Sequence, residues 1–303
     1  MASSEGPRTL DGLVTESRRA DGDYGSRSTR ELVDLMNAED ASVPAAVAGV
    51  AAELASAVDA IAERLAHGGR LVYVGAGTSG RLAELDAEEC EGTFSTAPGQ
   101  VVALVAGRDA LTSEAREAAE DDATTGRQAV EQLEVTSSDA VVGVSASGRT
   151  PYVLGALAAA ADAGALTVAL VSTEDAELAR AAEHELAVVV GPEVVSGSTR
   201  LKAGTAQKLV LNTISTVTMI RLGKTYGDLM VDVRASNEKL EARARRVVRE
   251  AAGVSDDEAR EALAAAGGSA KVAVVALLAD VDADAARSRL EQTGGNIQAA
   301  LAP

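Results

Sequence analysis

Two stretches of this 303-residue chain set hydroxyls, glycines and a cation side by side: Gly75-Ala-Gly-Thr-Ser-Gly-Arg81 and Ser145-Ala-Ser-Gly-Arg-Thr150. Each follows a short apolar run and precedes a helical pattern. A parallel strand that ends in such a loop and restarts as a helix aims backbone N–H groups, hydroxyls and the positive end of the helix dipole at one spot. That combination favours a phosphate. The candidate ligands are Thr78, Ser79, Gly80 and Arg81 in the first loop, and Ser145, Ser147, Gly148, Arg149 and Thr150 in the second. Pro151 suits the first position of the helix that follows. Capping that helix would need one hydroxyl, and three point to an anion cradle. A third segment, Ser196-Gly-Ser-Thr-Arg-Leu-Lys202, can add Ser196, Ser198 and Lys202 to the same pocket. Two such loops in one sheet predict a phosphorylated small molecule held at both ends.

Gly75-Ala-Gly-Thr-Ser-Gly80 also matches G-x-G-x-x-G, the dinucleotide fingerprint. That motif wants an acidic residue at the end of the next strand to hold a ribose. Here the next strand ends in Ala106-Gly107-Arg108, and Asp109 lies beyond it. Hydroxyls between the glycines suit a monophosphate better than a pyrophosphate laid on bare backbone.

The elements that must carry these loops alternate. A strand at 70–74 is followed by a helix at 80–91, a strand at 101–105, a helix at 112–132, a strand at 139–144, a helix at 150–163 and a strand at 166–171. A short helix, a strand at 186–190 and a long helix at about 203–222 complete the series. Continuous apolar runs such as Val101–Val105 and Leu166–Val171 fit strands buried on both faces. The fold class is therefore α/β, a doubly wound parallel sheet with right-handed crossovers. Upstream, residues 1–28 are polar and read as an irregular arm, and helical periodicity runs from near Ser28 to about His67 with a restart at Val43-Pro44. Downstream, short helices at 237–252, 256–265, 269–278, 283–291 and 295–301 form a helical subdomain. The expected organisation is an N-terminal arm with helices (1–60), a sheet domain (61–224) and the helical subdomain (225–303).

Composition narrows the function. Aromatic residues are 2% of the chain, and 28 basic against 46 acidic residues leave a net charge of −18. Neither suits a nucleic-acid partner, which wants stacking rings and cations. One cysteine, Cys90, and two distant histidines offer neither a disulfide framework nor a His/Cys metal cluster. No apolar signal core and no uncharged apolar run of about 18 residues is present, so a membrane is not expected and a reducing cytoplasm is.

The S-x-S-G-x-T pattern of 145–150 resembles the sugar isomerase (SIS) domain, whose loop of that form binds the phosphate of a phosphosugar. Longer blocks resemble one family within it. GAGTSGRL (75–82), SGRTPYV (147–153), EVVSGSTRLKAGTAQKLVLN (193–212), LMVDV (229–233) and SNEKL (236–240) are similar to the N-acetylmuramic acid 6-phosphate etherases, and the similarity runs over nearly the whole chain. The resemblance implies conversion of N-acetylmuramic acid 6-phosphate and water to N-acetylglucosamine 6-phosphate and D-lactate, in recycling of cell-wall sugars, without a metal or organic cofactor. It implies elimination followed by addition, with two carboxylates moving the protons. The family's acid maps to Glu89 and its C2 base to Glu120. Leu82, Leu85 and Glu89 are spaced i, i+3, i+7, which predicts that Glu89 continues an apolar helix face and is raised in pKa by burial. Nothing in the sequence separates Glu120 from Glu114, Glu117 or Asp121. Where the family has prolines after the cysteine, this chain has Glu91-Gly92-Thr93-Phe94-Ser95, which predicts a more flexible loop there. A homodimer with shared pockets is implied as well, and the apolar helix of 203–222 could serve that contact or the core. The alternatives are a phosphosugar isomerase, which needs no acid at Glu89, and a non-enzymatic phosphosugar-binding regulator.

Overall fold

The uninterrupted apolar runs become the sheet. In the computed structural model, which describes residues 13–20, 22–232 and 238–302, five strands form one parallel sheet flanked by helices, in the order β2-β1-β3-β4-β5. In chain order the elements begin with α1 (Thr29–Asp40), α2 (Val43–Gly49), α3 (Ala51–Ala66), β1 (Leu71–Gly75), α4 (Gly77–Phe94), β2 (Val101–Val105), α5 (Ser113–Glu120) and α6 (Ala123–Gln132). They continue with β3 (Ala140–Val144), α7 (Pro151–Asp162), β4 (Leu166–Val171), β5 (His184–Ala187) and α8 (Lys202–Arg221). A two-stranded hairpin, β6 (Thr225–Tyr226) and β7 (Leu229–Met230), precedes α9 (Glu238–Ala252), α10 (Asp256–Ala265), α11 (Ala270–Ala279), α12 (Ala283–Gln292) and α13 (Ile297–Leu301). The register from β3 to β4 runs Ala140 against Leu166 through Val144 against Leu170. The first twelve residues of the expected arm, and Asn237 at the expected start of the tail helices, lie outside the described residues. Among the described residues no single helix is long and apolar enough to cross a membrane.

The chain divides into two compact units. One holds the described residues up to Ala57 with Val72–Glu84 and Ala103–Asn212, and the other holds Val58–Leu71, Leu85–Val102 and the described residues from Thr213 on. The second unit has a core of its own, with Val231, Ala244, Val247, Val248, Ala273 and Val274 buried together. Two lysines meet one carboxylate there: Lys224 and Lys271 place their Nζ atoms 2.9 and 3.0 Å from Asp232 Oδ2.

Three expectations need correction, and one element is new. Strand β2 is not buried on both faces: it is the edge of the sheet and every residue in it is half-buried. The helix expected over 112–132 is two helices. Asp122 leaves the helical conformation, and its Oδ1 accepts from Thr124 N at 2.9 Å and Thr125 N at 3.1 Å, capping α6 anew. Helix α4 runs on through Glu91-Gly92-Thr93-Phe94, because no proline stops it. It ends at Ser95, whose positive φ of 48° closes the helix and whose Oγ donates to the Asp232 carbonyl. The β6–β7 hairpin, turning at Gly227-Asp228, was not expected at all.

Two glycines bring α6 and α7 together. A Cβ on Gly126 would lie 1.9 Å from the Tyr152 carbonyl oxygen, and one on Gly155 would lie 1.9 Å from that of Ala123. These helices touch backbone to backbone, and no other residue fits at either position.

Candidate active site

The first hydroxyl loop is largely the first turn of α4. Residues 77–80 are already helical, so Thr78, Ser79, Gly80 and Arg81 sit at the positive end of that helix rather than before it. The glycines serve close packing. A Cβ on Gly75 would come 2.8 Å from the Gly80 backbone, and one on Gly80 would come 2.7 Å from Val105 Cγ1. Ser79 is oriented by a partner that the motif alone did not disclose: its Oγ donates to Gln207 Oε1 of α8 at 2.9 Å. Arg81 Nη2 donates to Thr78 Oγ1 at 3.1 Å.

The second loop turns its hydroxyls toward one another. Ser145 Oγ lies 2.8 Å from Thr150 Oγ1 and 3.4 Å from Ser147 Oγ. The amides of Gly148 and Arg149 donate to Ser145 Oγ and Ser147 Oγ at 3.1 and 3.3 Å. Thr150 occupies the N-cap of α7, yet its side chain makes no capping hydrogen bond. Gly148 has φ +63°, and a Cβ there would come 2.5 Å from Ala176 Cβ, so the bend of the loop depends on glycine.

The third segment is braced by acids. Glu193, fully buried, accepts from the Lys202 and Ala203 amides at 3.0 Å each and so caps α8. Lys202 is itself buried, with Nζ 2.6 Å from Glu39 Oε2. Ser196 Oγ donates to the Glu16 carbonyl at 2.6 Å, while Ser198 N donates to the Val195 carbonyl at 2.9 Å. Lys202, a candidate ligand in sequence, is held by the distal Glu39 carboxylate in the structure.

Glu120 is singled out by its surroundings. It is half-buried at the end of α5, whereas Glu114, Glu117 and Asp121 are exposed. One of its carboxylate oxygens stands 3.0 Å from where a Cβ on Gly77 would lie. Burial pushes its pKa up, the charges of Asp121 and Glu117 push the same way, and Arg81 opposes them. The carboxylate opens on a cleft of about 640 Å3 between the start of α4, the end of β2 and α5, lined also by Thr78, Arg81, Glu84, Arg108, Ser113, Arg116 and Glu117. Arg108 Nη2 meets Glu84 Oε1 at 2.8 Å. Of these, Glu84, Arg108, Ser113 and Arg116 were not expected in a site. Their signal was weak, since none of them belongs to a hydroxyl loop or a recognisable motif.

Glu89 does not continue a buried stripe. The buried face of α4 is Ala83, Asp86, Ala87, Cys90 and Phe94, and both Glu89 and Leu85 are exposed. Asp86 can be buried because Ser215 Oγ donates to its Oδ1 at 3.1 Å. Cys90 is buried and free, and burial lifts its thiol to about 12, with the Asp86 charge adding to the effect.

The SIS domain family matches residues 125–216, and the glucokinase regulatory protein N-terminal SIS domain matches residues 53–161. A phosphoheptose isomerase structure from Francisella tularensis superposes with a TM-score of 0.51 at 16% identity, covering 64% of this chain and 100% of its own. That likeness concerns the fold alone. Curated relatives reach much further. N-acetylmuramic acid 6-phosphate etherase from Streptomyces coelicolor is 55% identical over 97% of this chain and 94% of its own length. The protein of that name from Rubrobacter xylanophilus is 56% identical over 95% of this chain and 96% of its own. With identity of that order across both lengths, the chain belongs to the N-acetylmuramic acid 6-phosphate etherase family.

Proposed function

We propose that this protein cleaves the lactyl ether of N-acetylmuramic acid 6-phosphate, giving N-acetylglucosamine 6-phosphate and D-lactate in the recycling of cell-wall sugars. In the open-chain sugar, C1 is an aldehyde and the C2 proton is acidic. A base takes that proton, the C3–O bond breaks as an acid protonates the departing lactyl oxygen, and water adds back at C3. Glu120 is assigned as the base. The observation that carries this reading is its half-buried carboxylate against Gly77, since a raised pKa makes a carboxylate a stronger base once ionised.

The phosphate is assigned to the loop of Ser145, Ser147, Gly148, Arg149 and Thr150, with Thr78, Ser79, Gly80 and Arg81 at the neighbouring helix end. The uncapped Thr150 hydroxyl supports this, because a residue placed to cap α7 spends its oxygen on Ser145 instead. Ser196, Ser198 and Lys202 are assigned a supporting part in that pocket.

Glu89 is assigned as the acid that protonates the leaving oxygen. Its exposure in the single chain, beside Leu85, fits a homodimer in which a second copy covers this face. Val217 and Ile220 of the same unit are also left partly exposed. The single free cysteine accords with a reducing cytoplasm.

The test is D-lactate release from N-acetylmuramic acid 6-phosphate in D2O, for the wild type, Glu89→Ala and Glu120→Ala. Lactate with deuterium at C2 of the product is the expected wild-type result. Glu89→Ala should still exchange the C2 proton of the product and Glu120→Ala should not. Binding of a 6-phosphosugar with no lactate would overturn the etherase reading in favour of an isomerase or a regulator.

A further inference from the structure

The substrate proposed above differs from its product by one charged group: the carboxylate at the end of the lactyl ether. An enzyme that recognises it needs a cation near the leaving group. Cations are scarce in a chain of net charge −18, yet Arg81, Arg108 and Arg116 share the cleft onto which Glu120 opens.

Their circumstances differ. The charge of Arg108 is matched by Glu84 at 2.8 Å, and Arg81 lies within the field of Glu120. Arg116 instead donates to two neutral oxygens, the Ala110 carbonyl at 3.0 Å from Nη1 and Ser113 Oγ at 3.4 Å from Nη2. These bonds orient the guanidinium without cancelling its charge. Glu117 also lines the cleft, but adjacent residues on a helix do not face each other. The backbone of Arg116 is seated firmly: Gly107 has φ +60°, and a Cβ there would come 2.9 Å from Arg116 Cα.

The sheet order puts these parts in line. The Ser145–Thr150 loop follows β3, the Gly77 turn follows the adjacent β1, and Arg116 is packed on the end of β2 beyond it. Two strand spacings amount to about 10 Å, which matches the reach of an open-chain sugar from its 6-phosphate to a substituent on C3. We infer that Arg116 is a specificity-determining residue that holds the lactyl carboxylate through paired N–H donors. A guanidinium fork fits a carboxylate with two parallel hydrogen bonds and fits a neutral amide poorly. The enzyme would therefore reject a sugar whose lactyl carboxyl is already amidated, as by a peptide.

This inference rests on the etherase reading, and the experiment separates the two. Lactate or lactamide release is followed for N-acetylmuramic acid 6-phosphate and for its lactyl carboxamide, with the wild type, Arg116→Gln, Arg116→Lys and the distant control Arg127→Gln. Deuterium exchange at C2 of N-acetylglucosamine 6-phosphate, which has no lactyl group, reports whether each variant is folded. The wild type and Arg127→Gln are expected to prefer the acid by roughly 10- to 100-fold in kcat/KM. Arg116→Gln should lose that preference, and Arg116→Lys should keep part of it. An undiminished preference in Arg116→Gln, or loss of product exchange together with the preference, would overturn the inference. If the wild type released nothing from the acid, the etherase reading itself would fall.

Discussion

Glu120 lies directly against Gly77, with a carboxylate oxygen 3.0 Å from the point a Cβ would occupy. The contact joins the last residue of α5 to the first of α4.

Gly77→Ala should therefore be disproportionately harmful. Gly77 has φ +53°; a left-handed residue with a Cβ costs about 1 kcal/mol, and the added methyl must also push the carboxylate aside. We expect kcat to fall by roughly 100-fold, the scale of a displacement of about 1 Å, with only a small drop in melting temperature. Steady-state kinetics beside a thermal melt would separate the two effects.

The pH dependence follows from the raised pKa of Glu120. A base works when ionised, so the acidic limb of kcat/KM should lie above the ordinary carboxylate range. Arg81 favours the ionised form, and Arg81→Gln should move that limb to still higher pH. Stability runs the other way. A carboxyl whose folded pKa is raised contributes stability below its unfolded pKa, and this is lost as pH rises through the folded value. Glu120→Gln should accordingly melt higher than the wild type at neutral pH and equally at low pH, while losing C2 exchange.

Asp232 holds Lys224 and Lys271 at once. Removing the acid leaves two ammoniums facing each other, one of them nearly buried, so Asp232→Ala should cost about 2–3 kcal/mol. Lys271→Met leaves the Asp232–Lys224 pair intact and replaces an amine whose pKa burial already depresses with an apolar chain, and should cost much less. Urea denaturation of both variants would decide, and equal losses would contradict the arrangement.

With its thiol raised to about 12, Cys90 should resist alkylation by iodoacetamide at neutral pH until the protein unfolds. Mass spectrometry of samples treated with and without urea would show this.

The sheet was legible in the sequence because buried parallel strands are written as unbroken apolar runs, and β4 appears over the residues that such a run predicts. The loop of 145–150 was legible as a connection between β3 and α7, and its hydroxyls do gather within it. What could not be read depended on partners far along the chain. The inward face of α4 includes Asp86, tolerated only because Ser215 satisfies it, so a rule that seeks leucines chose the wrong stripe. The break between α5 and α6 was hidden because Asp121-Asp122 looks like any charged helix surface until one aspartate turns to cap. The seating of Arg116 on Gly107 was hidden for the same reason, since in sequence it is one charged residue of an acidic helix.

The glycine contacts between α6 and α7 carry one more consequence. Helices in backbone contact cannot slide without collision, so the first turn of α7 is held in place against α6. If the proposed phosphate site before α7 is right, a ligand there would lose little of its binding energy to ordering that helix end.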